Sequence, residues 1–374
     1  MTHSMRSLFK RKSDTVQLSG PKGPSWFRRH KKLAIILSIV IVFVIGGGVA
    51  TALYFVNQKP APAPTPAKVV KPVPKPPAVK YYSPLTGEQV PDQAATTRPV
   101  TAVMIENSPD ARPQSGIKNS GVVFEAIAEG GITRFALLYQ QEKPALVGPV
   151  RSVRMYFVDW IAAFNASVAH VGGSLYALNE VRNGNYRDID QFFNGSYFYR
   201  ATDRYAPHNV YTTFEKLDAL NASKGYTTST FTGFTRKDSV AVKTPTATSI
   251  SVDISSSPYD SSYTYNTTTN TYDRSEGGAP HLDRESGQIS PRVVIVMTIP
   301  ERTVLQDGYR EQIDTIGSGK AVIFQDGTIQ EVTWSKVSLQ GQITFTDANG
   351  KDVSLARGQT WLTSVPEDGG ATWQ

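Results

Sequence analysis

Residues 121–130, GVVFEAIAEG, and residues 133–141, TRFALLYQQ, decide the fold of the first folded part of this chain. Both segments are rich in β-branched and aromatic residues and are bounded by glycine or polar residues, which is the pattern of β-strands. Residues 98–107, RPVTAVMIEN, have the same character. The sequence therefore predicts three strands in a folded region that begins near Tyr82.

A helix is predicted after these strands. Apolar side chains recur there at helical spacing, at Val153, Phe157, Trp160, Ile161 and Phe164. Residues 165–171, NASVAHV, then predict a short strand, which is followed by a GGS turn and a second helix at LYALNEV. Because strands and helices alternate, we expect an α/β or α+β domain over residues 82–235.

The composition changes after residue 235. Serine, threonine and tyrosine dominate residues 254–273, where helical periodicity is weak. Asp326-Gly327 and Asn349-Gly350 each lie between runs of alternating apolar residues, a strong hairpin signal. Residues 236–374 are therefore predicted to form a second, mostly antiparallel β domain.

Basic residues are concentrated at the N-terminus. The formal net charge of the chain is +7, and residues 1–80 hold fourteen Lys/Arg and one acid, a net of +13. The remaining residues therefore carry 7 − 13 = −6. This distribution argues against a nucleic-acid partner for the folded region and predicts a basic cytoplasmic tail over residues 1–32.

Residues 33–56 contain twenty-four residues without a charge, enough for a helix of about 36 Å across a hydrocarbon core of about 30 Å. We predict one transmembrane helix there. Nine Lys/Arg precede it, so the N-terminus is expected in the cytoplasm and the C-terminal domains outside the cell membrane. Ala50-Thr51-Ala52 resembles a signal-peptide cleavage site, which is the alternative, but the preceding region is unusually long. Residues 57–81, rich in proline and lysine, predict an extended stalk.

The chain has no cysteine, which excludes disulfides, thiolate catalysis and a lipidated cysteine. His170, His208, His281 and Asp283 lack the spacing of a known metal site. We therefore expect neither a metal nor a cofactor.

Seven arginines but one lysine lie between residues 134 and 208. The planar guanidinium suits bidentate contact with carboxylate or phosphate. Arg151 and Arg154 stand in GPVRSVR, residues 148–154, at the start of the predicted helix. If Ser152 is the N-cap, Arg154 falls in the first turn, where the helix dipole disfavours a cation by about 0.3–1 kcal/mol. A negative group is therefore expected beside these arginines.

Two hypotheses account for that negative group. Arg151 and Arg154 could hold an external anion at the helix N-terminus, supported by Arg134 and Arg204. Alternatively, Glu125 or Glu129 could supply the charge in an internal ion-pair network. On a strand these two glutamates are expected on the same face, about 13 Å apart, which is too far for the paired carboxylates of a glycosidase.

Two histidines are candidate proton carriers. His170 ends a predicted strand before a glycine turn and Ser174, which could bind a ligand; the alternative is a structural histidine and a helix-capping serine. His208 follows Pro207, which predicts a loop that presents Arg204 and His208 towards the same cleft as Arg151. No acid–base pair can be assembled from the sequence, so the question of enzymatic activity stays open.

The chain resembles the YerB-like family of bacterial cell-envelope proteins over about residues 82–367. In the first predicted domain the matching segments are SPLTG, RPVTAVMIEN, ARPQSG, EGGITRF, GPVRSVR, HVGGS and RYAPHN; in the second they are GAPHLD, GSGKAVIFQDG and GQTWLTSVP. The resemblance implies two domains, the first with the Arg/His motifs and the second rich in β-structure. Members are often lipoproteins, whereas this chain has an apolar segment in place of the cysteine. The resemblance assigns no catalytic residue.

Three functions remain open after the sequence is considered. The leading hypothesis is a membrane-anchored extracytoplasmic protein that binds an anionic cell-wall component through an arginine-lined cleft. The first alternative is a non-catalytic envelope scaffold that docks partner proteins. The second is a hydrolase or transferase that acts on a cell-wall polymer.

Overall fold

The computed structural model describes residues 31–59, 79–304 and 310–374. The predicted cytoplasmic tail (1–32) and proline-rich stalk (57–81) lie almost entirely outside the described residues. The chain divides into two compact units, Met1–Pro76 and Pro77–Gln374.

In the first unit, helix α1 extends from Lys31 to Val56, which confirms the predicted helix. Among the described residues it is the one helix long and apolar enough to cross a membrane, over Ile35–Val56. Its apolar side chains are exposed on all sides, and none of this window is buried in a protein core. A helix that is apolar all round is typical of a membrane span, and a signal sequence has the same composition.

The second unit combines three α-helices with many short strands. Its α-helices are α2 (Met155–Ala162), α3 (Leu175–Glu180) and α4 (Phe214–Ser223). Its strands are β1 (Tyr81–Tyr82), β2 (Gln89–Val90), β3 (Thr101–Glu106), β4 (Val122–Glu129), β5 (Ile132–Tyr139), β6 (Ser167–His170), β7 (Arg187–Asp190), β8 (Tyr199–Arg200), β9 (Val210–Tyr211), β10 (Arg236–Lys237), β11 (Ser249–Asp253), β12 (Ser261–Asn266), β13 (Thr271–Glu276), β14 (Ala279–Pro280), β15 (Leu282–Asp283), β16 (Gly287–Gln288), β17 (Val293–Thr298), β18 (Glu301–Val304), β19 (Arg310–Ile313), β20 (Gly317–Gln325), β21 (Thr328–Lys336), β22 (Thr344–Thr346), β23 (Leu355–Ala356), β24 (Thr360–Val365) and β25 (Gly370–Trp373).

A twelve-stranded sheet forms the centre of this unit. Its main path runs β22-β21-β20-β17-β24-β4-β5-β3-β6-β7, and β19 joins at the end of β4 and pairs with β18. Strand β24 lies between β17 and β4 and is parallel to both. The central sheet therefore contains strands from both regions that the sequence divides at residue 235.

Both faces of the central sheet are covered. On β4, Phe124 faces the core that includes α2, and its ring stacks on Trp160 at a centroid distance of 5.4 Å. Val123 points the other way, into a core that includes Leu217 of α4. Because burial of one such side chain contributes about 1.5–3 kcal/mol, these contacts fix both helices on the sheet.

A second sheet, β14-β13-β12-β11-β25, is antiparallel throughout. This confirms that the C-terminal region is mostly antiparallel. The hairpin predicted at Asp326-Gly327 joins β20 to β21, and both turn residues have the positive φ of a type I′ turn. At Asn349-Gly350 the chain turns, but a single bridge between Thr346 and Asp352 replaces an extended hairpin.

Candidate functional site

Five charged residues form what we call the Arg–Glu cluster: Glu106, Glu129, Arg134, Arg151 and Arg154. Glu106 and Glu129 end strands β3 and β4, and Arg134 lies on β5 opposite Glu106 in the strand register. Arg151 belongs to an extended segment hydrogen-bonded to β3, through its N–H and the carbonyl of Met104 at 2.8 Å. Arg154 immediately precedes α2. Four separate segments of the chain thus supply the cluster.

Alternation along the strands explains why these side chains meet. Met104 and Ala136 are paired across β3 and β5, and both face the core that α2 covers. Glu106 and Arg134 are two residues further along each strand, so their side chains project from that same face. The cluster therefore lies on the α2 face of the central sheet.

The helix start differs from the prediction. Arg154, not Ser152, occupies the N-cap position, with extended backbone angles and no side-chain capping bond. Its guanidinium instead donates to the carbonyl of Val153 at 2.8 Å and to Glu129 Oε2 at 2.6 Å. The predicted negative neighbour of Arg154 is therefore Glu129, although the helix begins two residues later than expected.

Glu129 bridges two arginines. Its Oε1 accepts a hydrogen bond from Arg134 Nη2 at 2.7 Å, while its Oε2 accepts the bond from Arg154. The prediction that Glu125 and Glu129 share one face is wrong, because the register between β4 and β5 shifts between Ile127 and Glu129. A β-bulge of this kind redirects the side chains that follow it.

Burial and neighbouring charges shift the pKa of Glu129 and of Arg154. Burial alone would raise the pKa of Glu129, but the charges of Arg134 and Arg154 lower it to about 2. Burial and the neighbouring charge of Arg134 lower the pKa of Arg154 to about 10, against the opposing effect of Glu129. One carboxylate thus serves two closely spaced guanidinium groups.

The other half of the cluster surrounds Glu106. Its Oε1 lies 3.2 Å from Arg151 Nε and 2.9 Å from His208 Nδ1, and it accepts a hydrogen bond from Ser108 Oγ at 3.0 Å. Glu106 is buried, whereas the side chains of Arg151 and His208 remain 27% and 22% exposed. This half of the cluster therefore opens to solvent.

Glu106 and His208 form a carboxylate–imidazole pair. Because Glu106 accepts from Nδ1, the favoured neutral tautomer leaves Nε2 without a proton, and the described residues supply no hydrogen bond to Nε2. Ser108 Oγ is 3.2 Å from the same Nδ1 atom. A serine triad requires the hydroxyl at the other ring nitrogen, so this arrangement does not make Ser108 a nucleophile.

Unpartnered polar atoms concentrate in the Arg–Glu cluster. Among the described residues, eleven buried side-chain nitrogen or oxygen atoms lack a hydrogen-bond partner. Four of them belong to the cluster: Glu106 Oε2 and the Nε atoms of Arg134, Arg151 and Arg154. Such atoms are few in native proteins and each one requires an explanation, of which a functional role is one.

Glu125 belongs to a different network, on the opposite sheet face. Its Oε1 accepts a hydrogen bond from Arg274 Nη2 at 2.8 Å, and its Oε2 accepts bonds from Trp361 and Thr363. Burial alone would lower the pKa of Arg274, but the charges of Glu125 and Glu276 raise it above its ordinary value. Both oxygens of Glu125 thus accept hydrogen bonds from residues of the C-terminal region, and Glu125 is not the partner of Arg151 or Arg154.

The side chains of His170 and Ser174 have the contacts of structural residues. His170 is buried, with Nδ1 2.8 Å from the carbonyl of Gly172 and Nε2 2.7 Å from Asp188 Oδ1. Ser174 caps α3 by accepting a hydrogen bond from the Ala177 N–H at 3.4 Å. Both ring nitrogens of His170 are therefore engaged within the protein.

Arg204 also contacts the protein rather than the cluster. The loop predicted around Pro207 is present between β8 and β9, and Arg204 donates from it to the carbonyls of Asp110 and Pro113. His281 accepts a hydrogen bond from Arg274, and Asp283 accepts from the N–H groups of Lys118, Glu285 and Ser286. Within the described ranges, no group of three or more His, Cys, Asp or Glu residues could hold a metal ion.

Of the nine predicted site residues, the structure thus brings together Glu129, Arg134, Arg151, Arg154 and His208. Glu106 was missed because it ends an apolar run that was interpreted only as a strand. The sequence did contain a signal for Glu106, because it is a carboxylate at a strand end within RPVTAVMIEN, a segment that resembles the YerB-like family. Arg274 was missed because no sequence pattern indicates its pairing with Glu125, 149 residues away.

Comparisons with known proteins agree with this architecture. Two family models match, described as the N-terminal and C-terminal domains of "Protein of unknown function (DUF3048)", over residues 85–227 and 250–362. The Bacillus subtilis (strain 168) protein named "Putative lipoprotein YerB" is 34% identical over 295 residues, which cover 78% of this chain and 88% of that protein. The crystal structure of YerB protein from Bacillus subtilis matches with a TM-score of 0.70 and 32% identity, covering 78% of this chain and 100% of that one. With a relative of this identity and coverage, the chain belongs to the YerB-like, two-domain DUF3048 family.

Proposed function

We propose that this protein is held at the cell membrane by α1 and binds an anionic group of a cell-envelope ligand at the Arg–Glu cluster. The observation that carries the proposal is the imbalance within the cluster. Three arginines face two glutamates, and four buried polar atoms there make no hydrogen bond among the described residues, although one of them, Arg151 Nε, lies 3.2 Å from Glu106 Oε1. The internal ion pairs account for part of the arginine charge but not for all of it.

The charge arithmetic favours one anionic group. Arg134, Arg151 and Arg154 contribute +3 and Glu106 and Glu129 contribute −2, so the cluster has a formal charge of +1 while His208 is neutral. A buried excess charge is costly unless an opposite charge neutralises it. A carboxylate or phosphate oxygen would supply that charge.

Burial divides the roles of the arginines. Arg134 and Arg154 are buried and paired with Glu129, so they contribute a positive field rather than direct contacts. Arg151 and His208 are partly exposed and are the groups that a ligand could reach. We therefore assign direct ligand contact to Arg151 and His208.

An extracytoplasmic location fits the sequence and the relative. Nine Lys/Arg precede the uncharged part of α1, which begins at residue 33, and this favours a cytoplasmic N-terminus. The related protein is named "Putative lipoprotein YerB", and lipoproteins are attached to membranes. The proposed ligand is accordingly an anionic component of the cell envelope, such as a carboxylate or phosphate of the wall.

The direct test is a calorimetric titration of the full-length protein in detergent micelles. Inorganic phosphate and soluble wall fragments are the two ligands titrated. We expect saturable binding that Arg151→Met weakens at least tenfold. Arg98→Met is the matched control, because Arg98 is an exposed arginine whose side chain donates to Gln141. If phosphate and wall fragments fail to bind the wild-type protein, or if both variants behave alike, the proposal is wrong.

The Glu106–His208 pair favours a second candidate function, a hydrolase or transferase that acts on a cell-wall polymer. A carboxylate that orients an imidazole beside a cation is a common arrangement for general acid–base catalysis. Incubation of purified wall polymer with the wild-type protein and with His208→Gln tests this candidate. Release of soluble fragments by the wild type alone would support it, and release by neither would exclude it for that polymer.

A further inference from the structure

Four exposed apolar residues lie at the start of α3 and in the turn after β7. We call Leu175, Tyr176, Phe192 and Phe193 the aromatic patch; their exposed fractions are 68%, 63%, 68% and 71%. Single exposed apolar residues are normal on protein surfaces, but several of them on linked segments indicate an interaction site. Three of these four side chains are aromatic.

The turn after β7 and the turn that precedes α3 are tied together by Asp190. Its Oδ1 accepts hydrogen bonds from the N–H groups of Gly172 and Phe192, at 3.5 and 3.0 Å. The Phe192 ring lies so close to Gly172 that an added Cβ would be 3.0 Å from its Cε2 atom. Arg182 pairs with Asp190 and lies 5.0 Å from the centre of the Phe193 ring. These contacts hold the exposed rings in place, which lowers the entropy cost of binding.

The turn that precedes Leu175 and Tyr176 is hydrogen-bonded to the segment that supplies Arg151 and Arg154. The N–H of Val171 donates to the carbonyl of Arg151, and the N–H of Val153 donates to the carbonyl of Gly172, both at 3.0 Å. Leu175 and Tyr176 follow that turn directly as the first residues of α3. A ligand that contacts Arg151 could therefore extend over the patch.

We infer that the aromatic patch binds the sugar rings of a glycan whose anionic group is held at the Arg–Glu cluster. This inference rests on the proposed anion site and names the class of ligand. The C–H faces of pyranose rings pack on aromatic rings, and the Tyr176 hydroxyl can exchange hydrogen bonds with sugar hydroxyls. The adjacent excess of positive charge selects a glycan that carries a carboxylate or phosphate.

The test uses the full-length protein in detergent micelles with two probes, a neutral oligomer of N-acetylglucosamine and inorganic phosphate. We expect the doubly substituted variant Phe192→Ala/Phe193→Ala to bind the oligomer at least tenfold more weakly while it binds phosphate as the wild type does. Val337→Ala is the control, since Val337 is 82% exposed and follows β21, at the opposite end of the sheet from β6 and β7. Circular dichroism checks that each variant is folded.

A second variant separates ring stacking from general hydrophobic contact. Phe192→Leu/Phe193→Leu keeps the apolar surface but removes the aromatic faces, so it should lose oligomer binding as the alanine variant does. Oligomer binding that survives both double substitutions would overturn the inference. An absence of oligomer binding by the wild type would also overturn it. If the wild type instead bound liposomes and the leucine variant still bound them, the patch would be assigned to a membrane surface. Failure of phosphate binding alone would instead refute the anion site.

Discussion

Arg154 Nη2 lies 2.6 Å from Glu129 Oε2, at the point where α2 begins and β4 ends. The same carboxylate also binds Arg134, so neither arginine has a negative charge of its own. This shared carboxylate decides what a substitution in the cluster should do.

Substitution of Arg154 by methionine should reduce anion affinity at least tenfold with little loss of stability. Met keeps the apolar stem, and Glu129 retains Arg134, so the carboxylate is not left unpaired and the free energy of unfolding should fall by less than the roughly 3–5 kcal/mol of a broken buried pair. Phosphate titration and urea denaturation measure the two effects. A loss of several kcal/mol with unchanged phosphate binding would show instead that Arg154 serves a structural ion pair.

Glu129 should make stability depend on acid pH. Its pKa is about 2, below the ordinary value of 4.5, so the carboxylate stabilises the fold above about pH 4.5 and this contribution is lost as the pH falls through about 2. A pKa shift of this size corresponds to at most about 3 kcal/mol of folding free energy. Glu129→Gln should lower the free energy of unfolding at neutral pH and reduce its decrease between about pH 4.5 and about pH 2, which urea denaturation at a series of pH values measures. A decrease equal to that of the wild type would contradict the assignment.

Glu301 should have the opposite pH dependence. Burial and the charges of Glu311 and Asp368 raise its pKa from 4.5 to about 7, so the folded state favours the protonated form. Its favourable contribution is complete below pH 4.5 and is lost as the pH rises through about 7. Glu301→Gln, which stays neutral, should therefore be more stable than the wild type above pH 7 and similar to it at acid pH. Thermal melts at both pH values measure this difference, and a variant less stable at high pH would refute it.

His208 should contribute directly to anion binding, because its side chain is partly exposed beside Glu106 and Arg151. His208→Ala removes the imidazole contact and should weaken phosphate binding severalfold in a titration at one fixed pH. His170→Gln is not a suitable control, because both nitrogens of His170 hold the fold together. Arg98→Met should bind phosphate as the wild type does, and unchanged phosphate affinity of His208→Ala would refute the assignment.

The sequence was sufficient to predict most of the secondary structure around the cluster. Strands β3, β4 and β5 follow from their β-branched and aromatic runs, and α2 follows from its helical spacing. The two arginines of GPVRSVR indicated a negative neighbour, because they stand where a helix start disfavours cations. These are local signals, which a single sequence contains in full.

Features that depend on distant pairing could not be predicted. The bulge after Ile127 turns Glu129 away from the face of Glu125, and no local residue pattern marks it. The parallel contact of β24 with β4 joins residues more than two hundred positions apart. Glu106 belongs to the cluster because the segment containing Arg151 pairs with β3, and that pairing has no local sequence signal.

The position of β24 constrains the order in which the central sheet can form. Residues 360–365 fill the gap between β17 and β4, so β4 lacks a neighbour along one edge until those residues are in place. An unpaired central strand exposes backbone groups that can pair with other chains, and contacts between distant residues form slowly. We therefore expect the central sheet to close late in folding, with β24 as the strand that joins the two regions of the chain.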